Sequence, residues 1–108
     1  MPYDPKLAEQ MRVALAARVG IVEKKMFGGF CWMLNGNMLC GVEVGRFMFR
    51  VGKERETRAL EMPGATPMDI TGRPMRGFVW VDASHAKGKM LLRWIDLASE
   101  YVGNLPPK

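Results

Sequence analysis

The spacing of apolar residues along the chain predicts helices near both ends. Apolar side chains recur every three or four positions over 5–18 and over roughly 88–103, the pattern of a helix with one buried side. Asp4 and Pro5 favour a helix start, because aspartate caps free backbone N–H groups and proline suits the first helical position. The charged segment Lys53–Glu61 predicts a third, short surface helix.

Between the helices, short apolar runs bounded by glycine, asparagine and proline predict the strands of an antiparallel sheet. A first strand enters at Glu23–Phe27, has a kink or bulge at Gly28-Gly29 and continues through Phe30–Leu34. The other strands are Met38–Cys40, Phe47–Val51, a short edge strand at Met68–Thr71, and Arg76–Val81 after a turn or loop at Gly72-Arg73-Pro74. The order is α-βββ-α-ββ-α. We therefore expect a single α+β domain over residues 1–108, with helices packed on a sheet of about five strands.

The dipeptide Asn35-Gly36 predicts a two-residue hairpin turn, because a type I′ turn needs positive φ at both positions. Such a turn sets Leu34 opposite Asn37, Met33 opposite Met38, Trp32 opposite Leu39, and Cys31 opposite Cys40. Both faces of this hairpin are largely apolar, so helices must cover one face and something else the other. The pattern predicts that a second copy of the chain, or a helix of a partner protein, provides that second cover.

Composition is that of an ordinary globular protein. Of 108 residues, 48% are hydrophobic and 25% are charged, which is enough for a core without disulfides. The N-terminus lacks the basic and apolar regions of a signal peptide. The longest uncharged stretch, Met26–Val42, is too short and too polar to span a bilayer. We therefore expect a soluble cytoplasmic protein with no membrane partner.

The two cysteines, Cys31 and Cys40, face each other in the predicted hairpin register. A disulfide between directly opposed strand residues is strained and reducible, so the pair is a candidate thiol switch. The alternative is that both are small buried side chains that stay reduced in the cytosol. A zinc site is not predicted, because two cysteines and the single His85 do not supply four ligands.

Basic residues outnumber acidic residues by 16 to 11, which gives a formal net charge of +5 and permits acidic partners. The candidate binding surface consists of Lys24, Lys25, Arg50, Arg73, Arg76, Lys87, Lys89 and Arg93. Cations that converge on one surface suit a nucleic-acid backbone, with salt-dependent affinity; the alternative is ordinary solvated charge. Arg50, within a strand, either pairs with a carboxylate such as Glu43 or lies at an interface.

Patterns that indicate catalysis are weak. His85 lies in a polar segment, and a dyad with Cys31 has no local support. Neither phosphate-binding glycine pattern, GxxxxGK[ST] or GxGxxG, occurs. We expect no enzymatic activity, no catalytic residues, no metal site and no cofactor.

Several segments occur in the same order as in one known family. They are Lys24-Lys25-Met26-Phe27-Gly28-Gly29, Asn35-Gly36, Arg50-Val51-Gly52, Pro63-Gly64, Pro67-Met68-Asp69, Thr71-Gly72-Arg73-Pro74-Met75-Arg76-Gly77-Phe78-Val79 and Leu105-Pro106-Pro107-Lys108. Together they resemble the TfoX N-terminal domain family over nearly the whole chain. The resemblance implies an α+β fold similar to the type III secretion chaperone-like group, and the functional context of TfoX/Sxy regulators of natural competence in bacteria.

The family has no accepted catalytic residues, so the resemblance transfers none. Full-length regulators carry a second, C-terminal domain similar to helix-hairpin-helix modules, and we expect none after Lys108. Our main expectation is a non-enzymatic regulatory domain that binds protein, as a homodimer or with a partner, in transcriptional or competence regulation. The alternative is a nucleic-acid-binding transcription regulator that uses the basic surface.

Overall fold

Six antiparallel strands and three α-helices make up the part of the chain that the computed structural model describes, residues 4–26, 29–70 and 72–108. The elements are α1 (Pro5–Leu15), β1 (Ile21–Met26), β2 (Gly29–Leu34), β3 (Asn37–Val42), β4 (Arg46–Arg50), α2 (Glu56–Leu60), β5 (Ala65–Ile70), β6 (Arg73–Asp82) and α3 (Lys89–Val102), with short 3₁₀ turns at Lys53–Arg55 and Ala83–His85. The predicted α+β class is confirmed.

The six strands form one sheet in the order β1-β2-β3-β4-β6-β5, so that β1 and β5 are its edges. The sheet has one strand more than the five expected, because the predicted first strand is two: Ile21 pairs with Leu34 and Met26 with Gly29. Residues 27, 28 and 71 lie outside the described residues. Gly28 of the feature predicted at Gly28-Gly29 is therefore not described, whereas Gly29 begins β2. The predicted short edge strand near residue 68 is confirmed as β5.

The predicted cap of α1 and the predicted buried sides of the two longer helices are confirmed. The Asp4 side chain accepts a hydrogen bond from the Lys6 backbone N–H at 2.9 Å, and Pro5 opens α1. This helix ends at Leu15, three residues before the predicted end. The buried residues of α1 are Leu7, Ala8, Met11 and Leu15, and those of α3 are Leu91, Trp94, Ile95, Ala98 and Val102. No helix in the described residues is long and apolar enough to cross a membrane.

The main core lies between the helices and one face of the sheet. Its largest fully buried side chains include Trp32, Phe47, Phe49 and Trp94. All buried residues of α1, α2 and α3 belong to this cluster. The helices of the described chain therefore cover a single face of the sheet.

The other face of the sheet carries a separate apolar cluster, which we call the sulfur-rich face. Its buried residues are Cys31, Met48, Met68 and Trp80, with Met38, Met75 and Phe78 packed against them. Arg46 lies over the Trp80 ring at 3.7 Å from its centroid. These side chains bury one another with no helix of the described residues above them, so the predicted cover of this face by a second copy or a partner helix stays a prediction.

The hairpin turn at Asn35-Gly36 is confirmed, with φ values of 54° and 86°. The predicted register holds for Leu34 with Asn37 and for Met33 with Met38, but it is wrong beyond that point. A bulge at Leu39 shifts the pairing, so that Trp32 faces Cys40. The reason is packing, because the bulge lets Leu39 and Cys40 both enter the main core.

An ion pair ties α1 to the edge of the sheet. The Glu23 carboxylate accepts hydrogen bonds from Arg12 Nε at 2.6 Å and Arg12 Nη2 at 3.1 Å, and from the buried Trp32 indole N–H at 3.1 Å. The Arg12 hydrogen bonds lower the pKa of Glu23 below its ordinary value. A carboxylate with a depressed pKa stabilises the folded state above its unfolded pKa, and this contribution is lost as the pH falls through the folded pKa.

We therefore expect Glu23→Gln to reduce the urea midpoint of unfolding more at about pH 7 than at about pH 3. As the pH falls through the folded pKa of Glu23, the wild-type carboxylate takes up a proton, and the difference between the two proteins shrinks. Glu9→Gln is the matched control, because Glu9 is more exposed and touches Arg12 only once, at 3.3 Å. Equal losses for both variants at both pH values would contradict the assignment.

Candidate interaction site

An apolar groove lies between α1 and the start of α3. Val13 and Leu92 are its exposed apolar side chains, at 67% and 44% of full exposure. The groove has a volume of about 850 Å³ and is lined by Lys6, Glu9, Gln10, Val13, Ala14, Lys87, Gly88, Leu91 and Leu92. We call it the α1–α3 groove. Exposed apolar side chains that share one concave surface are typical of binding sites, whereas single exposed ones are ordinary.

Helical periodicity explains how α1 contributes to this groove. Lys6, Gln10, Val13 and Ala14 fall at spacings of three and four, so they form a second stripe along the helix. This stripe lies beside the one that enters the main core. Helix α1 therefore packs one side against the main core and lines the groove with the adjacent side.

The charge balance of the groove is positive. The Glu9 carboxylate is engaged by Arg12 at 3.3 Å. Lys6 and Lys87, in contrast, make no ion pair within the described residues. The N-terminus of α3 also lies here, and its backbone dipole adds positive potential. The groove thus combines an apolar floor with two uncompensated ammonium groups.

The structure separates the residues of the predicted basic surface. Lys24 and Lys25 lie on the edge strand β1, whereas Arg73 and Arg76 lie on β6, with three strands between β1 and β6 in the sheet. Arg76 is 3.5 Å from the Glu56 carboxylate. The two lysines and the two arginines therefore lie on separate strands of the sheet.

The remaining predicted cations lie near the start of α3. Lys89 is the first residue of this helix, and Lys87 lies two residues before it. Arg93, one turn later, lines a second groove together with Arg55 and Arg58 from the segment around α2. Lys87 is the one predicted cation that lines the α1–α3 groove.

The predicted pairing of Arg50 with Glu43 is wrong. Glu43 instead accepts a hydrogen bond from Arg46 Nε at 2.7 Å, its neighbour across the β3–β4 turn. The Arg50 guanidinium lies over the rings of Phe78 and Tyr101, at 5.4 and 5.7 Å from their centroids. Cross-strand alignment explains the first contact, because Arg50 and Phe78 are direct partners in the β4–β6 ladder.

The predicted opposition of Cys31 and Cys40 is also wrong, and so is the disulfide geometry that it implied. Because of the bulge, Cys31 faces Gly41. Cys31 belongs to the sulfur-rich face, whereas Cys40 lies in the main core with its Sγ 3.8 Å from Met11 Sδ. Both cysteines are free and buried, and burial raises the pKa of each thiol.

Sequence reasoning missed the α1–α3 groove, although part of its signal is visible. Val13 stands off the buried stripe of its helix, as does Leu92. Each is unremarkable alone, since exposed apolar residues are common on protein surfaces. Their meaning comes from the packing of α1 beside α3, which the spacing within either helix does not specify.

Comparison with known proteins yields one match. The family model described as the TfoX N-terminal domain matches residues 14–101. No curated protein matches the chain, and no solved structure does. The matched range includes the whole sheet and all but the last residue of α3.

Proposed function

Because this chain belongs to the TfoX N-terminal domain family, we propose that it is a non-catalytic regulatory domain that acts in transcriptional or competence control by binding a partner protein. The family supports a competence-regulator-like domain. The single observation that supports protein binding is the α1–α3 groove, where exposed Val13 and Leu92 lie beside Lys6 and Lys87.

The partner is expected to present an amphipathic helix with acidic flanks. A groove between two helices accepts a third helix through apolar anchors at spacings of three, four and seven residues. Lys6 and Lys87, which have no ion pair in the described residues, favour carboxylates beside those anchors. A second copy of this chain fits less well, because a two-fold contact sets this positively charged surface against an identical one.

The test uses two designed helical peptides with the same leucine anchors, one flanked by glutamate and the other by lysine. Fluorescence anisotropy is expected to show binding of the acidic peptide and much weaker binding of the basic one. Val13→Asp with Leu92→Asp should weaken binding by about tenfold or more, equivalent to a loss of about 1.4 kcal/mol. Val44→Asp is the control, since Val44 is equally exposed, at 61%, but lies in the β3–β4 turn.

Reversing the charge of the two groove lysines tests the proposal more stringently than the aspartate variants do. Lys6→Glu with Lys87→Glu should exchange the preference, so that the basic peptide binds better than the acidic one. Equal binding of both peptides by the wild type, or no binding of either, would overturn the proposed groove. A mobility shift of duplex DNA that weakens steeply with salt, in a protein that binds neither peptide, would support the nucleic-acid alternative instead.

A further inference from the structure

A row of four residues crosses the sulfur-rich face on neighbouring strands. Cys31 on β2 faces Gly41 on β3, Gly41 faces Met48 on β4, and Met48 faces Trp80 on β6. Gly41 has no side chain, so Cys31 and Met48 meet above it. A β-carbon built on Gly41 would lie 3.2 Å from both Cys31 Sγ and Met48 Cε. The glycine thus leaves space beside the Cys31 thiol and the methyl end of the Met48 side chain.

A second methionine borders the same space from the edge strand of the sheet. Met68, at the irregularity in β5, lines the cleft of about 250 Å³ that also contains Cys31 and Met48. Met33, Met38 and Met75 line the adjoining cleft with Met48 and Met68. Six of the chain's 12 sulfur-bearing residues (10 methionines and 2 cysteines) thus border two adjoining clefts on one side of the sheet.

We infer that Cys31, Met48 and Met68 form a binding site for a soft monovalent metal ion, Cu(I) in particular. Thiolate and thioether sulfurs select Cu(I) over harder ions. Zinc is disfavoured, because the described residues contain no group of three His, Cys, Asp or Glu side chains that could hold a metal. This inference is independent of the proposed function, since the α1–α3 groove is formed by the helices on the other side of the sheet.

Binding requires the Cys31 thiol to release its proton, because the thiolate is the metal ligand. The copper–sulfur bond replaces the sulfur–hydrogen bond, one proton passes to solvent, and the copper stays Cu(I), so no oxidant or reductant is consumed. The charged side chains that line the same cleft are Glu43, Arg46 and Asp69. Glu43 is paired with Arg46, so the lining offers three sulfur side chains and the single carboxylate of Asp69, which has no ion pair within the described residues.

The experiment adds the reduced full chain, without oxygen, to Cu(I) held by the chromophoric chelator bicinchoninate. The wild type is expected to withdraw one Cu(I) per chain. Cys31→Ser should weaken the affinity by about 100-fold or more, and Met48→Leu or Met68→Leu by about tenfold each, by comparison with losses of 10–100-fold for supporting residues of metal sites. Cys40→Ser is the matched control and should keep wild-type affinity, because Cys40 is the other buried thiol and lies in the main core.

A wild type that withdraws no copper would overturn the site and leave the methionines as packing residues. The same conclusion follows if Cys31→Ser and Cys40→Ser lose equal affinity. If circular dichroism shows that Cys31→Ser does not fold, Met48→Leu and Met68→Leu test the site instead. These variants retain the side-chain volume and remove only the thioether sulfur. Val13→Asp with Leu92→Asp should bind copper as the wild type does, which separates this result from that of the groove.

Discussion

Replacing Phe49 with alanine is expected to lower the free energy of unfolding by about 3–5 kcal/mol. Phe49 is fully buried in the main core, and its ring stacks on Trp94 with centroids 5.5 Å apart and planes 16° apart. The change removes the buried ring, leaves a cavity and ends the stacking contact. Because a domain of this size is stabilised by only about 5–15 kcal/mol, the loss is a large share of the total.

Urea denaturation measures this loss, with Phe78→Ala as the matched control. Phe78 is the same residue type on the opposite face, but it is only half-buried. Phe78→Ala should lower the free energy of unfolding by clearly less, about 1–2 kcal/mol, because this side chain buries less apolar area on folding. Phe49→Leu keeps most of the volume and should cost about 1 kcal/mol, which isolates the aromatic contact. Equal losses for Phe49→Ala and Phe78→Ala would contradict the placement of the main core.

Local backbone chemistry made much of this fold predictable. Asn35-Gly36 tolerates positive φ, so the turn and the first two pairs of its hairpin follow from two residues. The next pair does not follow, because the bulge at Leu39 depends on how Cys40 packs against Met11 on a helix distant in sequence. The division of residues 21–34 into two strands was missed for a similar reason, since Gly28-Gly29 is compatible with a kink in one strand as well as with a turn between two.

The types of residue in the candidate binding surfaces could be predicted from the sequence, but the positions of those surfaces in the fold could not. Lys87 was expected in a binding surface because of its charge, and it does line the α1–α3 groove. The predicted Cys31–Cys40 pair failed, because one residue of register moves a side chain to the other face of a sheet. Surfaces assembled from separate helices or across several strands depend on tertiary packing, which composition and spacing within one element do not encode.

Replacing Gly52 with alanine is expected to cost about 2–5 kcal/mol of stability, combining backbone strain with a side-chain clash. Gly52 has φ 90° and ψ 151°, a region of backbone space that is essentially restricted to glycine. Its N–H donates to the Gly77 carbonyl at 3.0 Å, which holds it in this conformation. A β-carbon here would lie 2.5 Å from Cδ1 of the Tyr101 ring on α3.

Gly45→Ala shows the cost of positive φ without a clash, because Gly45 has φ 74° but a β-carbon there meets nothing within 4 Å. It should cost only the backbone strain, about 1–2 kcal/mol. In a Tyr101→Ala background the cost of Gly52→Ala should fall, since the ring that the new methyl group strikes is absent. If Gly52→Ala cost no more than Gly45→Ala, or if Tyr101→Ala left its cost unchanged, α3 would not pack against the end of β4 as the structure has it.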